Sequence, residues 1–225
     1  MTLFMWLKYR LRLVRAFILF KIYQASLKKQ VSSKDKLYEA YLDAQLLRTL
    51  TKKKAPVQER TKWLVNKLSH LSQLQGKKVL CVGCRNSAEL EYFHSRGVND
   101  VVGIDLYSED PRIHVMDMHQ MMFPNNSFDV VYSAHSLEHA YDINQVVTEF
   151  VRVAKEDGLI VIEMPVHYHK TETADLIDIE SLAKLHKLFE PNIGEILWTD
   201  EQEPHTATNS AGSAIIRTIF SVKKN

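Results

Sequence analysis

Three stretches of the sequence place residues that could hold a nucleoside directly after short apolar runs. VLCVGC ends in Gly83 and Cys84, and a glycine lets the backbone approach a ligand closely. Asp105, in VVGIDL, follows Gly83 by 22 residues. A carboxylate about 20 residues past such a glycine can accept both hydroxyls of a ribose. Asp117 and Met118 follow a third run, where a short acid can bind an adenine amino group beside an apolar neighbour.

A second group with chemical potential is HSLEH, residues 135–139. It fits His-x-x-Glu-His, and two histidines four residues apart on a helix can share a zinc ion. The stretch falls on a predicted strand-to-helix turn rather than within a helix, so a zinc hydrolase is the less favoured alternative and no metal site is predicted. We expect His139, or else His135, to act as the base if a reaction requires proton removal from an acceptor.

The Cys-x-x-Cys of Cys81 and Cys84 has a simpler interpretation. Cys81 lies within a predicted strand, where a cysteine is usually a small buried apolar residue rather than a redox thiolate. A zinc site would need two more ligands, and no second cysteine pair exists in the sequence. Two cysteines so close together do not form the framework of a secreted protein, which favours a reducing, cytoplasmic location.

The elements that must position these residues follow from the apolar pattern. KVLCV, DVVGID, RIHVM, FDVVYSA and LIVIEMP are short, β-branched-rich runs separated by helical stretches. They predict buried parallel strands in βαβ order. IGEILWTDE and SAIIRTIFSVKK predict two longer antiparallel strands. The predicted fold is α/β, a doubly wound, mostly parallel seven-stranded sheet with a C-terminal antiparallel hairpin and an N-terminal helical extension. In such a sheet, ligands bind at the carboxyl ends of the strands.

The predicted domain organisation has three parts: a basic, apolar N-terminal helix over residues 1–34, a helical extension over residues 35–76, and an α/β domain over residues 77–225. Within the extension, Leu37, Tyr41, Ala44 and Leu47 recur at helical intervals. A second helix has Trp63, Leu64, Leu68 and Leu71 on one side.

Charge separates the N-terminal segment from the rest. Residues 1–34 carry eight Lys and Arg and no acid, whereas the remaining residues carry 21 basic and 27 acidic side chains. A spanning helix needs about 20 apolar residues, and the longest uncharged run here has seven. We therefore expect residues 1–30 to lie on an anionic membrane surface, or to pack on their own domain or a second subunit. No nucleic-acid partner is expected, because no aromatic and basic platform accompanies the segment.

The ordered runs VLCVGC, GIDL, VMDMHQMMFPNNSFDVVYSAHSLEH and GLIVIEMP resemble the Rossmann-like S-adenosylmethionine-dependent methyltransferases, in the branch that acts on small molecules and lipids. The resemblance covers roughly residues 77–165. It implies S-adenosyl-L-methionine as cofactor and methyl transfer to a small-molecule or lipid- or sugar-linked acceptor by in-line displacement. The implied cofactor-binding residues are Gly83, Cys84, Arg85, Asp105, Leu106, Asp117, Met118, Ser133 and His135.

By position, the resemblance places residues 83–85 at the methionine part of the cofactor, Asp105 at the ribose and residues 133–135 beside the sulfonium. The family usually has an acid where Cys81 stands and further glycines where Arg85 and Ser87 stand. These departures leave open a non-catalytic cofactor-binding or assembly module with the same fold. We expect residues 165–180 and 201–212 to shape the acceptor pocket. His167, His169 and Glu163 could lie at its edge, although histidines in a polar loop are ordinarily solvated.

Overall fold

The structure is a computed structural model. It describes residues 3–30, 36–51, 56–84, 87–167, 176–206 and 212–224, without the side chains of residues 3–9, 12, 13 and 30. The helices are α1 (Leu3–Gln30), α2 (Lys36–Thr51), α3 (Glu59–Leu71), α4 (Ala88–Ser95), α5 (Ile143–Val153) and α6 (Leu182–Phe189), with a 3-10 helix over Leu137–His139. The strands are β1 (Lys78–Val82), β2 (Asp100–Asp105), β3 (Ile113–Val115), β4 (Phe128–Ala134), β5 (Ala154–Val166), β6 (Ile193–Gln202) and β7 (Ala214–Val222).

The seven strands form one sheet in the order β3-β2-β1-β4-β5-β7-β6. Strands β1 to β5 run parallel to one another. Strand β7 pairs antiparallel with both β5 and β6. The strand order reverses between β1 and β4, which is the position where doubly wound sheets bind ligands. The predicted fold class, including the C-terminal hairpin, is confirmed.

Alternate residues of the central strands face two helical layers, as the two-residue period of a strand requires. Leu80 and Val82 of β1 belong to the core under α5 and α6. Val79 and Cys81 belong to the core under α3 and α4. This burial on both faces explains why β1 is apolar throughout rather than alternating with polar residues.

Helices α1 and α2 pack antiparallel against each other, and α1 also contacts the loop that follows β2. Gln24 donates a hydrogen bond to Asp43 at 2.6 Å, and Lys28 pairs with Glu39 at 2.9 Å. Tyr23 donates to the backbone oxygen of Ser108, just beyond β2, at 3.2 Å. Among the described helices, no segment combines the length and apolarity needed to cross a bilayer. The three-part division of the chain stays a prediction.

The helix predicted in the extension is present, but its buried face is not the predicted one. The buried residues of α2 are Tyr38, Leu42, Gln45 and Leu46. Leu37 and Leu47 are 71% and 51% exposed. Both sets recur at helical intervals, so periodicity locates the helix without choosing its inner face. In α3 the predicted Leu64 and Leu68 are buried, while Leu71 is 38% exposed.

Candidate functional site

A cavity of 410 Å³ lies at the carboxyl ends of β1, β2 and β4. The predicted site residues that line it are Gly83, Cys84, Asp105, Leu106, Asp117, Met118, His135 and His139. They come from four separate stretches of the chain. The other wall is made by residues of α2, the start of α3 and the loop between them, including Tyr41, Gln45, Val57 and Arg60. The parallel sheet therefore brings the sequence-distant residues together at one edge.

Gly83 occupies a position that no other residue type could fill without strain. Its φ is +74°, and a Cβ there would lie 2.1 Å from the Oγ of Ser136. Ser136 donates a hydrogen bond to the backbone oxygen of Val82 at 2.9 Å, while the Gly83 amide donates to Ile104 at 2.8 Å. The glycine thus lets the ends of β1, β2 and β4 converge and leaves its own backbone facing the cavity.

The neighbouring thiols are structural. Cys84 is 5% exposed and Cys81 is fully buried. The Cys84 thiol points at the backbone oxygen of Ile104, 3.8 Å away. Burial raises the pKa of both thiols well above the ordinary value, and nearby carboxylates raise it further. Neither thiol is therefore the accessible thiolate that redox chemistry requires. Arg85, which the resemblance placed on the cofactor, lies outside the described residues.

The two predicted nucleoside carboxylates differ in their surroundings. Asp105, at the end of β2, is partly exposed and accepts a hydrogen bond from the Tyr107 amide at 3.4 Å. Asp117 is 2% exposed. Its oxygens accept hydrogen bonds from His119 Nδ1 at 2.7 Å, from the His119 amide at 3.0 Å and from the Tyr38 hydroxyl.

Asp117 therefore joins α2 to the end of β3 as well as lining the cavity. Burial by itself would raise the pKa of this carboxyl, but the hydrogen bonds from His119 and Tyr38 outweigh burial and lower it. The carboxylate stays ionised. An adenine amino group that binds Asp117 would have to share the carboxylate with His119 and Tyr38.

His135 sits between two buried carboxylates. Its φ is +54°, which turns the backbone out of β4. Its Nε2 lies 3.1 Å from Glu163 Oε1, and its Nδ1 lies 3.7 Å from Glu138 Oε1. Glu163 and Glu138 are 0% and 2% exposed. The imidazole thus lies at the cavity wall with a carboxylate beside each ring nitrogen.

Behind His135 lies a buried charge cluster of Glu163, Arg217 and Asp200. Arg217 is fully buried and donates from Nε to Glu163 at 2.6 Å and from Nη1 to Asp200 at 2.9 Å. Its guanidinium stacks on the Trp63 ring, 4.6 Å from the centroid. Burial would raise the pKa of Glu163, but His135 and Arg217 reverse that effect and lower it. Arg60, at 3.4 Å, adds a second cation on the cavity side.

His139 belongs to the 3-10 helix, whereas His135 precedes it. The two histidines therefore do not share a helical face. The Nη1 of Arg48 lies 3.3 Å from His139 Nδ1, and because arginine only donates, Nδ1 is the acceptor. The described residues include no group of three His, Cys, Asp or Glu arranged to hold a metal ion.

Two predicted parts of the site are not among the described residues that line the cavity. Ser133 does not line the cavity: it is fully buried in β4, and its neighbour Ala134 lines the wall instead. None of the described residues in 165–180 and 201–212 lines the cavity either. Its outer wall comes from α2 and α3, far earlier in the chain.

The sequence contained one overlooked indication of the charge cluster. Glu163 and Arg217 are lone charges inside the apolar runs LIVIEMP and SAIIRTIFSV. Lone opposite charges in two buried strands that pair are expected to meet, because an unpaired buried charge is very costly. Tyr38 and Arg60 carry no comparable indication, since polar residues on helices are ordinarily solvated.

The fold and site together define a class. A doubly wound sheet that reverses its strand order beside a glycine turn, with acids at the ends of the next strands, is a Rossmann-like nucleoside-binding domain. Residues 80–162 match the family model described as a methyltransferase domain. This part of the chain therefore matches a methyltransferase domain, and S-adenosylmethionine is the cofactor that such a domain with this fold implies.

One curated relative is a tRNA U34 carboxymethyltransferase from Photobacterium profundum, 26% identical over 137 residues. The match covers 54% of this chain, and the chain spans only 42% of that relative. Solved structures show the same fold at low identity. The [4+2]-cyclase SpnF has a TM-score of 0.60 at 14% identity, covering 78% of this chain and 85% of its own.

A phosphoethanolamine N-methyltransferase from Haemonchus contortus, in complex with S-adenosylhomocysteine, has a TM-score of 0.56 at 16% identity. The match covers 72% of this chain and 52% of that structure's chain. An S-adenosylmethionine-dependent methyltransferase from Mesorhizobium loti has a TM-score of 0.55 at 13% identity. The match covers 72% of this chain and 97% of that structure's chain. At these identities the likeness establishes the fold alone.

Proposed function

We propose that the protein transfers a methyl group from S-adenosylmethionine to a small-molecule or lipid- or sugar-linked acceptor. The observation that carries the proposal is that Gly83, Asp105 and Met118, from three different strand ends, line one cavity together with His135. Its 410 Å³ falls within the roughly 300–1,000 Å³ of small-molecule pockets. Any Cβ at position 83 would overlap Ser136, so only a glycine allows the close backbone approach that the cofactor needs.

Most of the cofactor-binding residues keep the roles that the resemblance implies. The backbone at Gly83 and Cys84 would border the amino-acid part, Asp105 would bind the ribose, and Leu106 and Met118 would flank the adenine. Glu89, in the first turn of α4, also lines the cavity. It offers a carboxylate for the cofactor ammonium, which compensates for the acid that Cys81 replaces.

S-adenosylmethionine supplies a methyl group on a positive sulfur, from which a neutral thioether leaves. The protein's contribution is then to align the acceptor and exclude water. Helices α2 and α3 would align the acceptor and exclude water, because they close the cavity opposite the strand ends. Gln45, Thr49 and Arg60 make that wall polar, which suits an acceptor with hydroxyl, amine or acidic groups.

Of the two histidines, His135 is the better candidate for a role at the acceptor. The Nε2 of His135 lies 3.1 Å from Glu163, which leaves Nδ1 to accept a proton, whereas His139 accepts from Arg48 at Nδ1 and has no lone pair at Nε2 in that tautomer. An oxygen acceptor that must lose a proton would use such a base. If His139 nevertheless serves, its replacement by alanine will lower the transfer rate more than replacement of His135.

The acceptor is proposed to be small rather than a nucleic acid. Residues 35–225 carry 21 basic and 27 acidic side chains, and an acidic body repels a polyphosphate chain. The relative from Photobacterium profundum is named for a tRNA substrate, so unmodified tRNA belongs among the acceptors assayed. Transfer of labelled methyl to tRNA, and not to small or lipid acceptors, would overturn this part of the proposal.

A non-catalytic module with the same fold is the second candidate. The departures at Cys81 and Ser87 favour it, and the SpnF cyclase has the same fold with a different named activity. A thermal-shift measurement with S-adenosylhomocysteine shows whether the protein binds the cofactor product. No shift at millimolar ligand would support an assembly module that does not bind the cofactor, because a ligand that binds the folded state must stabilise it. A shift without transfer to any acceptor would support a cofactor-binding module.

Replacing Asp105 with alanine tests the cofactor site. We expect Asp105→Ala to weaken S-adenosylhomocysteine binding by about 1–3 kcal/mol through the loss of hydrogen bonds to the ribose. Asp129→Ala is the matched control. Asp129 bonds to the Lys78 amide and to Lys155, both at 2.9 Å, and does not line the cavity. Calorimetry should show weaker binding in the first variant only, and equal affinities in both variants would exclude Asp105 from the site.

A further inference from the structure

Helix α1 presents apolar side chains on two opposite faces. The inner face packs on the rest of the molecule, with Leu27 2% exposed and the Tyr23 ring edge-on to Tyr107 at 5.0 Å. The opposite face carries Leu11, Val14, Ile18 and Ile22, which are 63%, 56%, 53% and 57% exposed. Their spacing of three, four and four residues places them on one side of the helix. We call these four residues the outer stripe.

The outer stripe is unusual for this molecule. With Phe17, at 62%, it supplies five of the eleven large apolar side chains that are exposed among the described residues. A contiguous exposed apolar patch marks an interaction site. Something must therefore cover this face, and its flanking charges indicate what.

Basic side chains border the outer stripe along both edges. Arg10 and Lys21 lie on one side and Arg15 on the other, and all three are exposed. Arg15 pairs with Glu109, which partly compensates its charge within the chain. Residues 1–34 contain no acid. Two copies packed through this stripe would bring their basic edges together without a carboxylate from either helix. A surface with an apolar interior and a negative rim matches both features.

We propose that the outer stripe docks α1 in the plane of an anionic lipid bilayer. The apolar side chains lie at the acyl boundary, and the flanking lysine and arginine side chains reach the lipid phosphates. The helix lies on the membrane and does not cross it. The inner face keeps its contacts with α2, so the docked helix holds the rest of the molecule at the surface.

The docking surface is one helix away from the proposed acceptor wall. Helix α1 packs on α2, and α2 contributes Tyr41, Leu42 and Gln45 to the cavity. This arrangement suits an acceptor that is itself anchored in the bilayer. The docking does not rest on the proposed reaction, because membrane binding is measured without cofactor or acceptor.

Vesicle flotation tests the docking on the full chain. The vesicles contain three parts phosphatidylcholine to one part phosphatidylglycerol, or phosphatidylcholine alone. The variant Ile18→Ser/Ile22→Ser removes the centre of the outer stripe, and Met122→Ser/Ile196→Ser removes two exposed apolar side chains elsewhere, at 61% and 46%. We expect the first to lower the partition coefficient on anionic vesicles about tenfold or more and the second to leave it unchanged.

Charge reversal supplies the second arm. Lys21→Glu should weaken binding to anionic vesicles several-fold but not the residual binding to neutral ones. Lys187→Glu, at an exposed position of α6, should change neither. Wild-type protein that stays at the bottom of the gradient with anionic vesicles overturns the proposal, as does a stripe variant that floats like wild type. A wild-type dimer in light scattering that Ile18→Ser/Ile22→Ser disperses, without any flotation, assigns the stripe to a second copy and also overturns it.

Discussion

Replacing Arg217 with methionine should lower the free energy of unfolding by about 3–5 kcal/mol, the cost of breaking a buried ion pair by removing one partner. Arg217 is fully buried and holds Glu163 and Asp200 at 2.6 and 2.9 Å. Methionine fills a similar volume but leaves a carboxylate in the interior with only His135 and Arg60 nearby. Urea denaturation monitored by circular dichroism measures the effect.

Two further variants decide whether the loss reflects the pair. Arg217→Met/Glu163→Gln removes both charges and should recover a large part of the stability. Lys184→Met breaks the exposed Lys184–Glu180 pair and should cost about 0.5 kcal/mol or less. A double variant as unstable as Arg217→Met would mean that methionine packs poorly and that the charge itself is unimportant.

The same cluster gives stability a pH dependence. The pKa of Glu163 is lower in the folded protein than its ordinary value of 4.5, despite burial, because His135 and Arg217 stabilise the carboxylate. Its contribution is therefore complete above 4.5 and is lost as the pH falls through the lowered pKa. Arg217→Met should weaken this acid-side loss.

The second large effect is expected at Gly83. Gly83→Ala places a Cβ at a φ of +74° and 2.1 Å from Ser136 Oγ. The left-handed conformation costs about 1–2 kcal/mol, and forcing Ser136 aside adds about 1–3 kcal/mol more. Because Ser136 bonds to the end of β1, the displacement also disturbs the cavity wall.

Gly97→Ala is a close control for this variant. Gly97 has a φ of +81°, yet a Cβ there would meet nothing within 4 Å. It should show the backbone cost alone and unchanged S-adenosylhomocysteine affinity, whereas Gly83→Ala should lose both stability and affinity. Equal behaviour of the two variants, measured by urea denaturation and calorimetry, would contradict the role given to the close approach at Gly83.

The strands were predictable because parallel strands covered on both faces require continuous apolar runs. The order of those runs also located the residues at the strand ends, so Gly83, Asp105 and Met118 could be expected to meet. Whether Ser133 lines the cavity could not be read from the sequence, since a residue near a strand end reaches the cavity only if the strand ends there. The turn at His135, with its positive φ, determines that point.

The cover of the cavity was not predictable in the same way. Helix α2 has apolar residues on two faces, and periodicity alone favoured the exposed one with Leu37 and Leu47. The choice is made by tertiary contacts, above all the hydrogen bond from Tyr38 to the buried Asp117. Helix α1 has the same ambiguity, which is why its outer stripe emerged only from the fractional exposure of each side chain.

The most direct test of the account is a crystal structure of the protein with S-adenosylhomocysteine. We predict that the ligand occupies the cavity of 410 Å³, with its ribose hydroxyls on Asp105, its amino-acid part along Gly83 and its sulfur toward His135. Density for the ligand elsewhere on the molecule, or an empty cavity at millimolar ligand, would contradict the claim that these strand ends form a cofactor site.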